Sequence, residues 1–336
     1  MSVELTVYGT ALPGRPSESN SVVGIGELAQ RAERYGYEGL LVFYNHENLD
    51  PWIVAATILQ QTKSLVPLVA VQPYALPPFT AAKMLHGLAC LHHRRLDVNL
   101  ITGGIRGELD QVGDRLDHDE RYARAVEYIS VVRALLSSSE PLDHNGKHYH
   151  FHRLLAHCAL EEALRPKVFV AGSSDAGRAA SVAVADVAVT HPEPVAAFAE
   201  HFAATRRADG QSLGIRVGLI ARETDEQAWQ VAAAQYVPDR RSRHMTMLKT
   251  RSESDWNRRM ARLAVAAETY DDVYWTGAYR ADRGLMPLLV GSYDRVSEYL
   301  GRYLALGVRT LLLGGVLSEE EFRHCDIVLS QVRSAC

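Results

Sequence analysis

The stretch Val170-Ala171-Gly172-Ser173-Ser174-Asp175 is the clearest chemical feature of this 336-residue chain. A β-branched run ends there in a small turn with two hydroxyls, and a helical pattern begins at once. Unpaired backbone N–H groups and the positive end of a helix dipole would converge on one point, as a phosphate requires. The same residues also suit an N-cap serving only its own helix. His46, Glu47 and Asp50 follow an apolar run at a spacing that allows an acid–base pair. Four histidines, His144, His148, His150 and His152, crowd one short stretch, and on a strand the last three would share a face, as metal ligands do. No carboxylate or thiolate stands at coordinating spacing beside them, so no metal is assigned. His92-His93-Arg94-Arg95 closes a helical pattern, where cations suit the negative dipole end. No nucleophile elbow, Walker loop or dinucleotide fingerprint is present.

These residues need elements to hold them. Short apolar runs alternate with amphipathic segments almost to the C-terminus, the pattern of parallel strands joined by helices. Strands are predicted at Val3–Tyr8, Gly39–Phe43, Val66–Val71, Leu96–Leu100, Lys167–Ala171, Asp186–Thr190, Ile215–Ala221 and Thr310–Leu313. Helices are predicted at Gly24–Tyr35, Pro51–Thr62, Thr80–His92, Asp119–Leu136, Ala176–Val184, Pro194–Asp209, Asp225–Tyr236, Tyr293–Leu306 and Glu319–Val332, with Asp50-Pro51 and Glu193-Pro194 as starting signals. Eight such strands close an α/β (β/α)8 TIM barrel, here one domain over residues 1–336. Two insertions absorb the surplus length. Residues 141–155 carry an Asn-Gly turn between alternating residues, a hairpin signal, and the polar segment 238–283 is expected to be a lid or a helical excursion. In such a barrel functional side chains follow the C-terminal ends of strands. That rule selects Tyr44, His46 and Asn48, then Gln72 and Tyr74, then Asn99 and Thr102, then Gly172, Ser173 and Ser174, then His191.

Charge and composition narrow the function. Thirty-six Lys and Arg against 40 Asp and Glu give a net charge of −4, which leaves no global positive field for a nucleic acid or an anionic membrane. The four cysteines form no close pair and no zinc spacing, as expected of free thiols in the cytoplasm. No signal peptide or membrane span is read.

Asn99-Leu100-Ile101-Thr102-Gly103-Gly104, Gly107-Glu108-Leu109 and Leu116-Asp117-His118-Asp119-Glu120-Arg121-Tyr122 together resemble the signature of the bacterial luciferase-like flavin monooxygenases. Asn145-Gly146-Lys147-His148, Ala171–Asp175, Gly214-Ile215-Arg216, Arg222–Asp225 with Ala228-Trp229, and Leu289-Val290-Gly291 continue the match in order. Within that superfamily the chain looks most similar to the two-component alkanesulfonate monooxygenases. The resemblance implies reduced FMN (FMNH2) supplied by a separate NAD(P)H:FMN reductase, O2 as co-substrate, a small organic substrate and a homodimer or homotetramer. It places the flavin phosphate on Tyr122, Ser173 and Ser174, with Gly172 and Thr102 beside the cofactor and Asn99 facing the flavin ring. It also implies a structural role for the histidine-rich hairpin.

The substrate side departs from the sulfonate pattern. Asn48 stands for a cysteine, His191 for a tryptophan and Gly218 for a histidine, and the tyrosine expected after the last strand falls on Gly315. Arg216 is retained, with Arg280 or Arg283 as a second cation and Tyr44 beside them. A sulfonate needs several donors, and one firm cation is a poor match. The resulting expectation is a monooxygenase acting on something other than a simple alkanesulfonate, such as a biosynthetic intermediate, with His191, Asn99, Asn48 and His46 as catalytic candidates. The alternatives are an alkanesulfonate monooxygenase proper, a deazaflavin-dependent oxidoreductase and a catalytically silent flavin-binding protein.

Overall fold

The computed structural model describes residues 5–11, 22–205, 207–252, 254–284 and 286–335. Its strands are β1 (Thr6–Thr10), β2 (Gly39–Val42), β3 (Val66–Val71), β4 (Asp97–Leu100), β5 (Leu142–Asn145), β6 (His150–Leu154), β7 (Val168–Ala171), β8 (Val187–Thr190), β9 (Ser212–Arg222), β10 (Thr269–Tyr270), β11 (Tyr274–Trp275), β12 (Leu288–Ser292) and β13 (Val308–Gly314). Its α-helices are α1 (Val22–Arg34), α2 (Pro51–Gln61), α3 (Pro78–His92), α4 (Arg106–Gln111), α5 (His118–Ser137), α6 (Asp175–Val184), α7 (Val195–Phe198), α8 (Asp225–Gln235), α9 (Arg240–Lys249), α10 (Asp255–Ala266), α11 (Gly277–Arg280), α12 (Tyr293–Ala305) and α13 (Glu319–Ala335). Pairing runs β1-β2-β3-β4-β7-β8, β8 pairs with β9, β9 with β13 and β13 with β1, so the order returns to its start. This is the (β/α)8 barrel. All eight expected strands occur with small shifts at their ends; residues 3 and 4 of the first lie outside the described residues.

By its internal contacts the chain divides into two units, residues 11–188 with 208–211, and residues 1–10, 189–207 and 212–336. In the first, β2, β3, β4 and β7 pair in parallel, with Leu41 opposite Leu68, Val69 opposite Val98 and Val98 opposite Val168. All six residues of β3 are buried, as expected of a parallel strand covered on both faces. Helix α2 starts as its sequence dictates: Asp50 accepts from the Trp52 and Ile53 N–H groups, and Pro51 takes the first turn. The His92–Arg95 cluster works differently from expectation. Helix α3 ends on His93 in the left-handed region, while Arg94 reaches across to the Leu59 and Leu65 carbonyls and so closes α2.

The Asn145-Gly146 turn joins antiparallel β5 and β6 as predicted. His148 lies before β6, so only His150 and His152 of the expected trio are on the strand. The hairpin is held by one carboxylate. Glu127 on α5 accepts from the His148 and Tyr149 N–H groups and bonds the His144 ring at 3.0 Å. A Cβ on Gly146 would stand 1.9 Å from Glu127 Oε1, so only glycine permits this approach. His152 bonds Asp143, and among the described residues no group of three metal-ligating side chains is assembled.

In the second unit β9 is long because it serves successive neighbours along its length: its first half pairs with β13 and its second with β12. Strand β12 was not predicted, since a short apolar run without alternation has no distinctive period. The expected helix Pro194–Asp209 is the short α7 followed by a π-helical turn at Ala199–Ala203, and Pro194, extended in backbone, is the cap rather than the first helical residue. Residues 238–283 hold α9, α10, β10, β11 and α11, with Met260, Ala261, Ala264 and Tyr279 buried together. No helix among the described residues is long and apolar enough to cross a membrane.

Candidate functional site

The strand-to-helix turn after β7 takes the form anticipated for an anion site. Ser174 caps α6, its Oγ accepting from the Gly177 N–H at 3.1 Å. That contact uses a lone pair and leaves the hydroxyl hydrogen to donate, so capping and anion binding are compatible in one side chain. Gly172 and Gly177 meet backbone to backbone under the Tyr122 ring. A Cβ on Gly172 would lie 2.9 Å from the Gly177 Cα and 2.9 Å from the Tyr122 hydroxyl. The Tyr122 hydroxyl donates to the Ala171 carbonyl at 3.3 Å and accepts from Thr102 and Ser174. Burial raises its pKa, so it remains a protonated donor at neutral pH.

Two cationic or ionisable groups complete this turn, and sequence reasoning missed both. Arg178, one turn into α6, donates to the Ser173 carbonyl and the Asp175 carboxylate. An arginine so close to a helix N-terminus opposes the dipole, which was the available signal. His118, one helical turn before Tyr122 on α5, sets its ring 5.1 Å from the Tyr122 ring, with Nε2 3.4 Å from Ser174 Oγ. The arrangement is a concave set of donors, sized by two glycines and carrying one fixed positive charge.

Other candidates of the same unit stand at strand ends. Asn99 is half-buried in β4 opposite Ala70 and Phe169, and Thr102 lies just beyond it. In the loop after β2, His46 is exposed with Nδ1 2.9 Å from Gln111 Oε1, and the Tyr44 ring meets it edge-on at 5.9 Å. Burial, with Glu108 and Asp50 adding negative charge, raises the Tyr44 hydroxyl. Asn48 lines a small cavity of about 20 Å³ with Ala11, Ile25, Phe43 and Val54. Asp50 is committed to the cap of α2, so the His46, Glu47 and Asp50 set does not assemble as one acid–base group.

A second cluster belongs to the other unit. His191, just past β8, stacks on Trp256 of α10, with ring centroids 3.8 Å apart. Burial and the charge of Arg216 on β9 hold His191 well below its usual value, so it is neutral. Burial also lowers Arg216 to about 10. His191 Nε2, Trp256 Nε1 and Asn257 Oδ1 are buried without hydrogen-bond partners. Orphaned polar atoms of this kind mark where an absent ligand would bond. Sequence reasoning read residues 238–283 as a cover and did not anticipate that Trp256 within them meets His191, a contact no local pattern encodes.

Two departures from the sulfonate pattern differ in their surroundings. A Cβ on Gly218 would fall 2.3 Å from Leu288 Cδ2, so a larger residue there needs Leu288 to move. Gly315 has nothing within 4 Å of an added Cβ, but its φ of 81° lies in the left-handed region that a tyrosine disfavours. Arg280 donates to the Ala264 carbonyl at the end of α10, and Arg283 to the Gln235 carbonyl at 3.0 Å. Both guanidinium groups thus have a backbone partner through one of their donors.

The sequence pattern of the family described as Luciferase-like monooxygenase matches residues 6–310. The 4-(γ-L-glutamylamino)butanoyl-[BtrI acyl-carrier protein] monooxygenase BtrO of Niallia circulans is 42% identical over 299 residues, covering 89% of this chain and 88% of its own. The EDTA monooxygenase of Chelativorans sp. BNC1 superposes with a TM-score of 0.74 at 17% identity, over 99% of this chain and 93% of its own. A riboflavin lyase bound to modified FMN and riboflavin gives a TM-score of 0.75 at 18% identity, over 99% and 92%.

Proposed function

The chain belongs to the luciferase-like monooxygenase family and is a flavin-dependent monooxygenase, and from that premise we propose that it takes reduced FMN from a separate reductase and oxygenates an acyl group carried as a thioester. The observation that carries the cofactor reading is the cradle at Gly172 and Gly177. The two glycines let the turn and the first turn of α6 pack backbone to backbone, which brings the Tyr122, Ser173 and Ser174 hydroxyls and the α6 N-terminus to one point where a phosphate would bind. When bound, reduced FMN supplies the two electrons with which one atom of O2 enters the substrate and the other leaves as water.

The chain's own residues have separable tasks in this reading. Tyr122, Thr102 and the α6 N-terminus hold the cofactor tail, and Arg178 adds a charge near it. Asn99 orients the ring by hydrogen bonding from the end of β4. His191, kept neutral by burial and by Arg216, accepts or donates a hydrogen bond at Nε2 without bringing charge. Trp256 covers it and keeps water away. The substrate class rests on the relative from Niallia circulans, which acts on an acyl group linked to a carrier protein. The enzyme is read as cytoplasmic, where a reductase can supply it.

The test is direct. Titration with FMN in both redox states should give saturable binding that Ser173→Ala with Ser174→Ala weakens by about tenfold or more, the loss of hydrogen bonds to a charged group. Photoreduced FMN and O2, with no reductase present, should then convert a carrier-linked acyl substrate to a product heavier by one oxygen atom. Absence of FMN binding in either state sinks the cofactor reading. Turnover of a simple alkylsulfonate in place of the thioester sinks the substrate reading.

A further inference from the structure

We propose that the outer face of α9 docks an acidic acyl-carrier protein, a surface that rests on the carrier-linked substrate reading above and gives it a physical site. Residues 240–251 hold five Lys and Arg and no Asp or Glu, in a chain whose net charge is −4. Lys249 is paired with Asp282 at 2.6 Å, while Arg240, Arg243 and Arg251 form no ion pair with a described residue. On a helical period Arg240, Arg243, His244, Met247 and Arg251 share one face. That face is turned outward: each of the four lying on α9 is exposed, as is Arg251 just after it, and Met247 is 55% exposed.

The opposite face inverts the usual pattern of a surface helix. Its buried residues are Ser242 and Thr246, with Thr246 Oγ1 bonded back to the Ser242 carbonyl, whereas Met247 and Leu248 point to solvent. The helix is secured locally by a capping box, with Asp239 accepting from the Ser242 N–H and Ser242 Oγ from the Asp239 N–H. A helix that buries small polar residues and exposes methionine and leucine among arginines presents an apolar centre rimmed by positive charge, the complement of an acidic partner helix. Its position fits the task, because α9 packs on α10 and α10 carries the Trp256 that stacks on His191.

The experiment compares two thioesters of the 4-(γ-L-glutamylamino)butanoyl group, one on BtrI acyl-carrier protein and one on N-acetylcysteamine, with photoreduced FMN and O2. The double variant Arg240→Glu with Arg243→Glu should raise KM for the carrier-linked form about tenfold or more while leaving kcat/KM for the short thioester within about twofold. Added salt should raise the wild-type KM for the carrier-linked form and barely change that of the variant. Arg240→Lys with Arg243→Lys should restore carrier use. Equal loss on both thioesters, or no loss on either, overturns the docking surface while the substrate reading stands. Wild-type protein that turns over neither thioester overturns the substrate reading and the docking surface with it. Binding of an oligonucleotide to α9, without competition by the carrier protein, assigns the patch to another partner and overturns the proposal.

Discussion

Gly172 and Tyr122 show how little space decides the turn after β7. Alanine at position 172 would force its Cβ against the Gly177 backbone and the Tyr122 hydroxyl, both at 2.9 Å. Overpacking of this kind costs about 1–3 kcal/mol. Gly172→Ala is expected to weaken FMN binding about tenfold and to lower the melting temperature by a few degrees, measured by flavin titration beside thermal unfolding. His191 makes a pH prediction. Its folded-state pKa is depressed below the unfolded value of 6.5, so the unfolded chain binds the proton more tightly. The stability associated with its neutral form is complete above pH 6.5 and is lost as pH falls through that value toward the folded one. Wild-type protein should lose stability toward unfolding in denaturant as pH drops below 6.5, and His191→Asn should flatten that slope. An unchanged slope in the variant would remove His191 as the source. Of these residues, the serines were legible because a strand-turn-helix signal is local, whereas Tyr122 entered only through the family resemblance. Trp256 and Met286 were not legible, since each meets residues that only packing brings near.

At the scale of elements, the histidine-rich hairpin is organised around one carboxylate, that of Glu127. Burial pushes Glu127 up, but the donors His144, Tyr149 and His148 more than offset it and hold its carboxyl below the usual value. Gly146→Ala should therefore cost about 1–3 kcal/mol by driving a methyl group into Glu127, and neighbouring Lys147→Ala, at an exposed position, should cost little. Chemical denaturation of the two variants distinguishes them, and an equal effect would contradict the anchoring role of Glu127. The hairpin's existence was readable from Asn145-Gly146, because that dipeptide specifies a turn regardless of context. The face it docks on was not, because Glu127 lies on α5, an element whose own pattern gives no sign of a partner. Helix α9 is a parallel case. Its start was not signalled by an apolar stripe, because the residues it buries are Ser242 and Thr246.

For the whole molecule, the chain must rejoin its sheet after leaving β4 through α4, α5 and the hairpin to reach β7. Asp97 secures that seam: its fully buried carboxylate accepts from Arg95 Nε at 2.7 Å and from the Lys167 N–H at 2.9 Å, tying the start of β4 to the start of β7. Removing one partner of a buried pair costs about 3–5 kcal/mol. Arg95 keeps Glu38 as a second partner at 2.7 Å, so Asp97→Ala should fall near the lower end, about 3 kcal/mol. Urea unfolding would measure this, and a cost below about 1 kcal/mol, the size of an exposed pair, would refute the seam. Alternation of apolar and amphipathic segments was enough to read eight strands and a barrel, because period and capping are properties of neighbouring residues. The order of residues also carried the phosphate turn, for the same reason. Tertiary structure alone decided that β9 serves both β13 and β12, that Leu288 fills the space beside Gly218, and that Trp256 reaches His191. Those outcomes depend on shape complementarity between residues tens of positions apart, which the periodicity of a single segment does not contain.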